Sequence, residues 1–235
     1  MSDGPELPLS QHDILDPGDC AAIAARVLAL DRHWTRRSAG GFYTLGAASY
    51  LDAAKRHDAY LAAARSTNPL LRQEFDVLLE QVREFFEELL DDAVFYDQHY
   101  ALPGFHVFIM GGGDRSRDDI ALRAHFDMQW MNAVPGVAPR GTVSFTLPIE
   151  QPSGGASMAI WPVRYRDALR LGFSARDYAA NHSFQVVRYG LGRIVIHDGQ
   201  VLHAIGPSAE ISPRGYRITL QGHGVHTQAG WLLYW

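Results

Sequence analysis

A chain of 235 residues with 47% hydrophobic side chains has the material for one large domain. Its formal net charge of −5, from 21 Lys+Arg against 26 Asp+Glu with no basic run, argues against a nucleic-acid backbone as partner. The single cysteine, Cys20, excludes an internal disulfide and fits a reducing, cytoplasmic setting, and no apolar run is long enough to cross a bilayer.

The opening "MSDGPELPLSQHD" has neither a basic n-region nor an apolar h-region, so no secretory signal is expected. The first hundred residues then read mainly as helix. In "LDPGDCAAIAARVLAL", Asp16 suits an N-cap and Pro17 the first helical position, with Ile23, Val27 and Leu30 at helical spacing. "WTRRSAGGFYTLGAASYLD" carries Arg36, Arg37, Tyr43 and Tyr50 beside a Gly-Gly pair. It reads either as a connection or as a cover over a site for an anionic or aromatic substrate. "SYLDAAKRHDAYLAAARS" is Ala-rich and helical in texture. In "NPLLRQEFDVLLEQVREFFEELLDD", Asn68 suits a cap, Pro69 a helix start, and Leu71, Phe75, Leu78, Leu79, Val82 and Phe86 form a core-facing stripe.

From Tyr96 onward, short β-rich runs broken by Gly and Pro predict a sandwich or barrel. The expected organisation is one domain over 1–235, mainly β, with a helical N-terminal part (1–95) buttressing a β core (96–235). "PSGGAS" (152–157) reads as a tight hairpin, and "MGGGDRSRDD" (110–119) as a polar connection with the character of a lid. The closing "WLLYW" is expected to pack on the domain or on a second subunit in a homodimer.

"ALRAHFDMQW" (121–130) carries the chemistry. Residues i and i+2 of a strand share a face, so an extended "RAHFDMQ" presents His125, Asp127 and Gln129 together. An imidazole and a carboxylate are two-thirds of the 2-His-1-carboxylate triad that binds Fe(II). The third ligand is open among His203, His197, His223 and His226; His182, in a polar loop, is a poor choice. Arg217 and Thr219 in "YRITLQ" also share a strand face, and an arginine in so apolar a run needs an anion. That anion is either a carboxylate of the chain or the acid group of a ligand. Gln129 is placed to hydrogen-bond Asp127, and Trp130 and Trp161 are candidates for a substrate wall, or simply core.

With "HFD" at 125–127, "LHAIGP" around His203 and "RIT" at 217–219, the sequence resembles the Fe(II)/2-oxoglutarate-dependent dioxygenases over about residues 96–225. The resemblance implies a double-stranded β-helix, a cupin-like jelly roll with helices outside. It implies that His125, Asp127 and His203 bind iron, and that Arg217, assisted by Thr219, binds the distal carboxylate of 2-oxoglutarate. His197 falls where the family usually has an apolar residue and is the runner-up ligand. His223 and His226 follow the arginine and do not fit the order. The implied activity is O2-dependent oxidation of a substrate C–H bond with release of succinate and CO2. A small molecule, an amino acid or specialised metabolite, is the expected substrate. The alternatives are a protein side chain, or a non-catalytic cupin-like binding protein, which would have no use for a co-substrate clamp.

Overall fold

The computed structural model describes residues 9–38, 41–53, 56–110, 117–207 and 215–235. The N-terminal elements are β1 (Ser10–Asp13), α1 (Pro17–Ala29), β2 (Thr35–Arg36), β3 (Phe42–Leu45), α2 (Ser49–Asp52), α3 (His57–Leu90) and β4 (Val94–Tyr96). Then come β5 (Gly104–Met110), α4 (Arg117–Ala121), α5 (Trp130–Ala133), β6 (Thr142–Glu150), β7 (Ser157–Arg164), α6 (Tyr165–Leu171) and α7 (Ala175–Asn181). The chain ends with β8 (Gln185–Arg188), β9 (Arg193–His197), β10 (Val201–Ile205), β11 (Gly215–Thr227) and β12 (Gly230–Tyr234).

Two sheets form an open jelly roll. The larger has 9 strands in the order β1-β9-β6-β11-β5-β3-β2, with β12 on the far half of β11 and β4 beyond it. The smaller has the order β10-β7-β8. The jelly roll with helices outside is the architecture the sequence led us to expect, although the N-terminal part is not purely helical. Short strands β1 to β4 all join the larger sheet; β3, for example, pairs Phe42 with Phe108 and Thr44 with His106. Runs of two to four residues are too short to show a period of two.

Alternation along the larger sheet separates core from cavity. Phe105, Val107, Val143, Phe145, Leu147, Ile218 and Leu220 face a core shared with Leu71, Phe75, Leu78, Leu79, Val82 and Phe86 of α3. His106, Phe108, Ser144, Thr146, Arg217, Gln221 and His223, one residue out of phase, line a cavity that β7 and β10 of the smaller sheet also line. The expected helical stripe is therefore core.

Asp16 caps α1 as expected, accepting from the Asp19 amide at 2.8 Å. Asn68 does not cap a helix. α3 runs unbroken through Pro69 and kinks at Phe75, while the Asn68 amide bonds Tyr100 O at 2.8 Å and the Leu102 amide at 3.0 Å. "PSGGAS" is not a hairpin either. β6 pairs with β9 and β11, β7 with β8 and β10, so this turn carries the chain from one sheet to the other. Of the expected lid, residues 111–116 lie outside the described residues. "WLLYW" is buried within the chain, β12 pairing with β11 and β4. Among the described residues, no helix is long and apolar enough to cross a membrane.

Candidate metal and co-substrate site

His125 and Asp127 come from a segment tied to the β9–β10 corner. His125 and His203 exchange backbone hydrogen bonds at 2.9 and 3.0 Å, and the Asp127 amide donates to Gly199 O at 2.7 Å. Gly199 has φ +75°, and a Cβ there would stand 2.9 Å from Asp127 O, so the approach requires glycine. The segment is a single bridge rather than the continuous strand expected, and Gln129 already has helical backbone at the start of α5. Gln129 nonetheless makes the expected contact, its Nε2 donating to Asp127 Oδ1 at 2.8 Å.

The ligand atoms of His125, Asp127 and His203 lie within 4.8 Å of one another. His125 Nε2 is 3.5 Å from Asp127 Oδ1, and His203 Nε2 is 3.3 Å from Oδ2. In both rings Nδ1 meets a carbonyl, that of Arg123 at 2.8 Å and that of Val201 at 3.0 Å. Nδ1 must therefore carry a proton, which makes Nε2 the nitrogen that can take a metal once it is unprotonated. Two such imidazoles and a carboxylate fit Fe(II). His197 is wired the other way. Its Nδ1 accepts from the Gly199 amide at 3.0 Å, so in the neutral ring Nε2 is a donor, 3.9 Å from Asp127 Oδ2. The hydrogen bonds thus favour His203 over His197, a choice that spacing left open.

Electrostatics set the charge of each group in this cluster. Burial would raise the Asp127 carboxyl, but His203 and its neighbours outweigh it and hold the group well below the usual carboxylate range. Burial would lower His203, and Asp127 reverses that and raises it. Burial pushes His106 and His197 each down to about 3 and lowers His125 and His223, so these rings are neutral.

Across the cavity, the buried Arg217 guanidinium lies 5.4 Å from the Tyr189 ring and 5.7 Å from that of Phe108. Among the described residues it has no ion pair, and its Nε has no hydrogen-bond partner. Its anion is therefore not a carboxylate of the described chain. Tyr189, whose ring Arg217 faces and which lines the cavity with Thr146, was not singled out in the sequence. It follows β8 without motif, and only the fold brings it to β11. Thr219 is buried on the Arg217 face, its hydroxyl oxygen accepting from Gln221 Nε2 at 3.2 Å, and it does not line the cavity.

The cavity is about 620 Å³. One wall is aromatic: Phe42 stacks on Phe108 at 4.5 Å, and Tyr50 Oη meets His106 Nε2 at 2.8 Å. Of the residues suggested as a cover, Tyr50 lines the cavity. Arg37 supports it from behind, gripping Asp52 of α2 at 2.7 and 2.8 Å, while Arg36 is exposed and Tyr43 packs on Trp34. Trp130 and Trp161 do not wall the substrate. Trp130 packs with Ala47, Ala53 and Tyr60, and Trp161 is fully buried in a separate apolar cluster, its Nε1 donating to His182 O at 3.1 Å. His226 is also elsewhere, paired with Asp92 at 2.9 Å.

Neither a protein-family model nor a curated protein matches the sequence. Solved structures match the fold. An N-substituted L-amino acid dioxygenase from Burkholderia ambifaria AMMD superposes with a TM-score of 0.59 at 16% identity, over 96% of this chain and 85% of its own. The same enzyme in complex with alpha-KG gives 0.57 at 16% identity, over 96% and 85%. AviO1 from Streptomyces viridochromogenes Tue57 gives 0.51 at 16% identity, over 95% and 92%. The chain has the jelly-roll fold of the Fe(II)/2-oxoglutarate-dependent oxygenases.

Proposed function

We propose that the protein is an Fe(II)- and 2-oxoglutarate-dependent oxygenase acting on a C–H bond of a small molecule. One observation carries this: a buried arginine without an anion shares a cavity with two imidazole nitrogens and a carboxylate gathered within metal-binding distance. A metal-binding protein of the same fold with no co-substrate has no reason to bury an uncompensated cation there. The size of the cavity suits 2-oxoglutarate and a second small molecule together. The N-substituted amino acid acted on by the Burkholderia enzyme makes an amino-acid-like substrate the first choice.

His125, Asp127 and His203 would hold the iron, which when bound supplies the centre where 2-oxoglutarate and O2 meet and a C–H bond is oxidised. The Arg217 guanidinium takes the distal carboxylate of 2-oxoglutarate, and Tyr189 and Thr146 border the same point. His203, whose proton affinity Asp127 raises, gives up its Nε2 proton as the ligand set forms. Phe42, Phe108, Met128 and Met158 exclude water from the substrate side.

Fe(II) and 2-oxoglutarate without O2 should give a weak visible charge-transfer band, and air should then yield succinate. Absence of both, across small acids, amines and peptides, would sink the proposal.

A further inference from the structure

Two hydrogen bonds in line from Asp127 decide which nitrogen of His223 faces the cavity. The carboxylate has no proton to give, so at 2.5 Å the Ser144 hydroxyl donates to Oδ2. The Ser144 oxygen is then an acceptor, and its 3.2 Å contact with His223 Nδ1 needs the proton on Nδ1. A neutral imidazole protonated there carries its lone pair on Nε2. His223 is 6% exposed and lines the cavity, and no described residue offers Nε2 a donor. Its own strand, β11, places it on the same face as Arg217.

The cavity that His223 lines is partly apolar, with Phe42, Phe108, Met128 and Met158 in its wall. Arg123, without an ion pair among the described residues, lines it as well. We propose that His223 Nε2 is the substrate-recognition acceptor, selecting a small apolar acid that bears an N–H or O–H donor. The inference rests on the oxygenase reading above and names the chemistry of its substrate. An acceptor fixed by a chain of hydrogen bonds rejects an analogue lacking the donor, because the nitrogen is then desolvated without a partner. Ser144 acts through His223 and is a positioning residue, since it sets the tautomer without reaching the substrate.

The tautomer is tested on metal-free protein with 15N-labelled histidine, where two-bond proton–nitrogen correlations identify the protonated nitrogen of each ring. The His223 signal, assigned by its loss in His223→Asn, is expected to show Nδ1–H and a bare Nε2. Ser144→Ala is expected to return it to Nε2–H. Nε2–H in the wild type overturns the inference.

Recognition is tested by calorimetry on protein loaded with Fe(II) and 2-oxoglutarate without O2. The probes are 2-hydroxy-4-methylpentanoate and its O-methyl ether, and N-acetyl-L-leucine and its N-methylated amide. Each donor probe should bind the wild type about tenfold more tightly than its methylated partner. In His223→Asn, whose amide nitrogen still serves Ser144 but leaves nothing at Nε2, the preference should vanish. In His223→Gln, whose carbonyl oxygen reaches the Nε2 position, it should persist. No preference in the wild type, including binding by neither member of a pair, overturns the inference, as does a preference that survives in His223→Asn. A wild type that takes up no iron or 2-oxoglutarate defeats the oxygenase reading instead, and the tautomer measurement stands apart from that result.

Discussion

At one end of the cavity Asp127 is surrounded by donors: Ser144 at 2.5 Å, Gln129 at 2.8 Å and the His203 ring at 3.3 Å. At the other end Arg217 lies between two aromatic rings with no carboxylate within ion-pair range among the described residues. Both groups are buried and charged, yet only the carboxylate is compensated by its surroundings. The metal end is therefore assembled before its ion arrives, because hydrogen bonds to backbone carbonyls fix the ligand tautomers. The arginine end has its cation in place and lacks its counter-charge. Binding there should stabilise the fold, whereas the metal end should resist loss of its ion without rearranging.

Acid should expose the cost of the neutral imidazoles most strongly. His106 and His197 have folded pKa values of about 3, well below the ordinary 6.5. Between those values they are unprotonated when folded and protonated when unfolded. The unfolded chain then binds more protons, so stability falls as pH falls from about 6.5 toward 3. Two such groups give a slope approaching about 2.7 kcal/mol per pH unit. Urea unfolding of ligand-free protein at pH 6 and 5 measures it. A flat profile would show that His106 and His197 are not held neutral in the folded chain.

Loss of a ligand comes next. Asp127→Ala and His203→Ala should each weaken Fe(II) binding by more than about 100-fold, beyond the range for residues that only support a ligand. His197→Ala should stay within about tenfold, since its Nε2 carries a proton. Anaerobic titration calorimetry orders the three, and reversal of His197 and His203 would refute the tautomer assignment.

The arginine end should respond to the other ligand. Arg217→Ala should weaken 2-oxoglutarate by about ten- to a hundred-fold and leave Fe(II) little changed, because a charge-assisted bidentate contact is worth roughly 1.5–3 kcal/mol. Arg217→Met should also raise ligand-free stability by about 1 kcal/mol, since it removes a buried charge that nothing balances. Lower stability in the absence of 2-oxoglutarate would mean that the guanidinium is balanced after all.

What the sequence showed and what it hid divides along the same line. His125, Asp127, His203 and Arg217 could be picked out as candidates because each lies within a short local pattern, and the same kind of pattern drew in Thr219, which does not line the cavity. Many short β-rich runs pointed to a sandwich or barrel, the family resemblance narrowed that to a jelly roll, and the α3 stripe was legible from its period. Tyr189, Ser144 and the role of His223 were not, because strands far apart in sequence bring them to the site: β6 and β11 pair Ser144 with His223. Both tryptophans proved to be core, one of the two roles that the sequence allowed them. Trp130 follows Asp127 closely in sequence, but the chain turns into helix at Gln129. The "PSGGAS" turn has hairpin composition, but composition does not say which sheet the next strand joins.

The smallest expected effect separates a residue on the right face from one in the right place. Thr219 shares its strand face with Arg217, and the spacing alone makes it a second contact for the distal carboxylate. Its hydroxyl oxygen accepts from Gln221 and is not on the cavity wall. Tyr189, from the connection after β8, lies with its ring 5.4 Å from the Arg217 guanidinium and lines the cavity. Tyr189→Phe removes a neutral hydrogen bond at the carboxylate and should weaken 2-oxoglutarate by about fivefold, near 1 kcal/mol. Thr219→Val keeps the shape and loses a bond made elsewhere, so its effect on 2-oxoglutarate should stay within about twofold. The two Kd values, measured on Fe(II)-loaded protein without O2, decide between the residues. A larger loss in Thr219→Val would restore the strand-face assignment, with the threonine O–H donating to the carboxylate while its oxygen still accepts from Gln221.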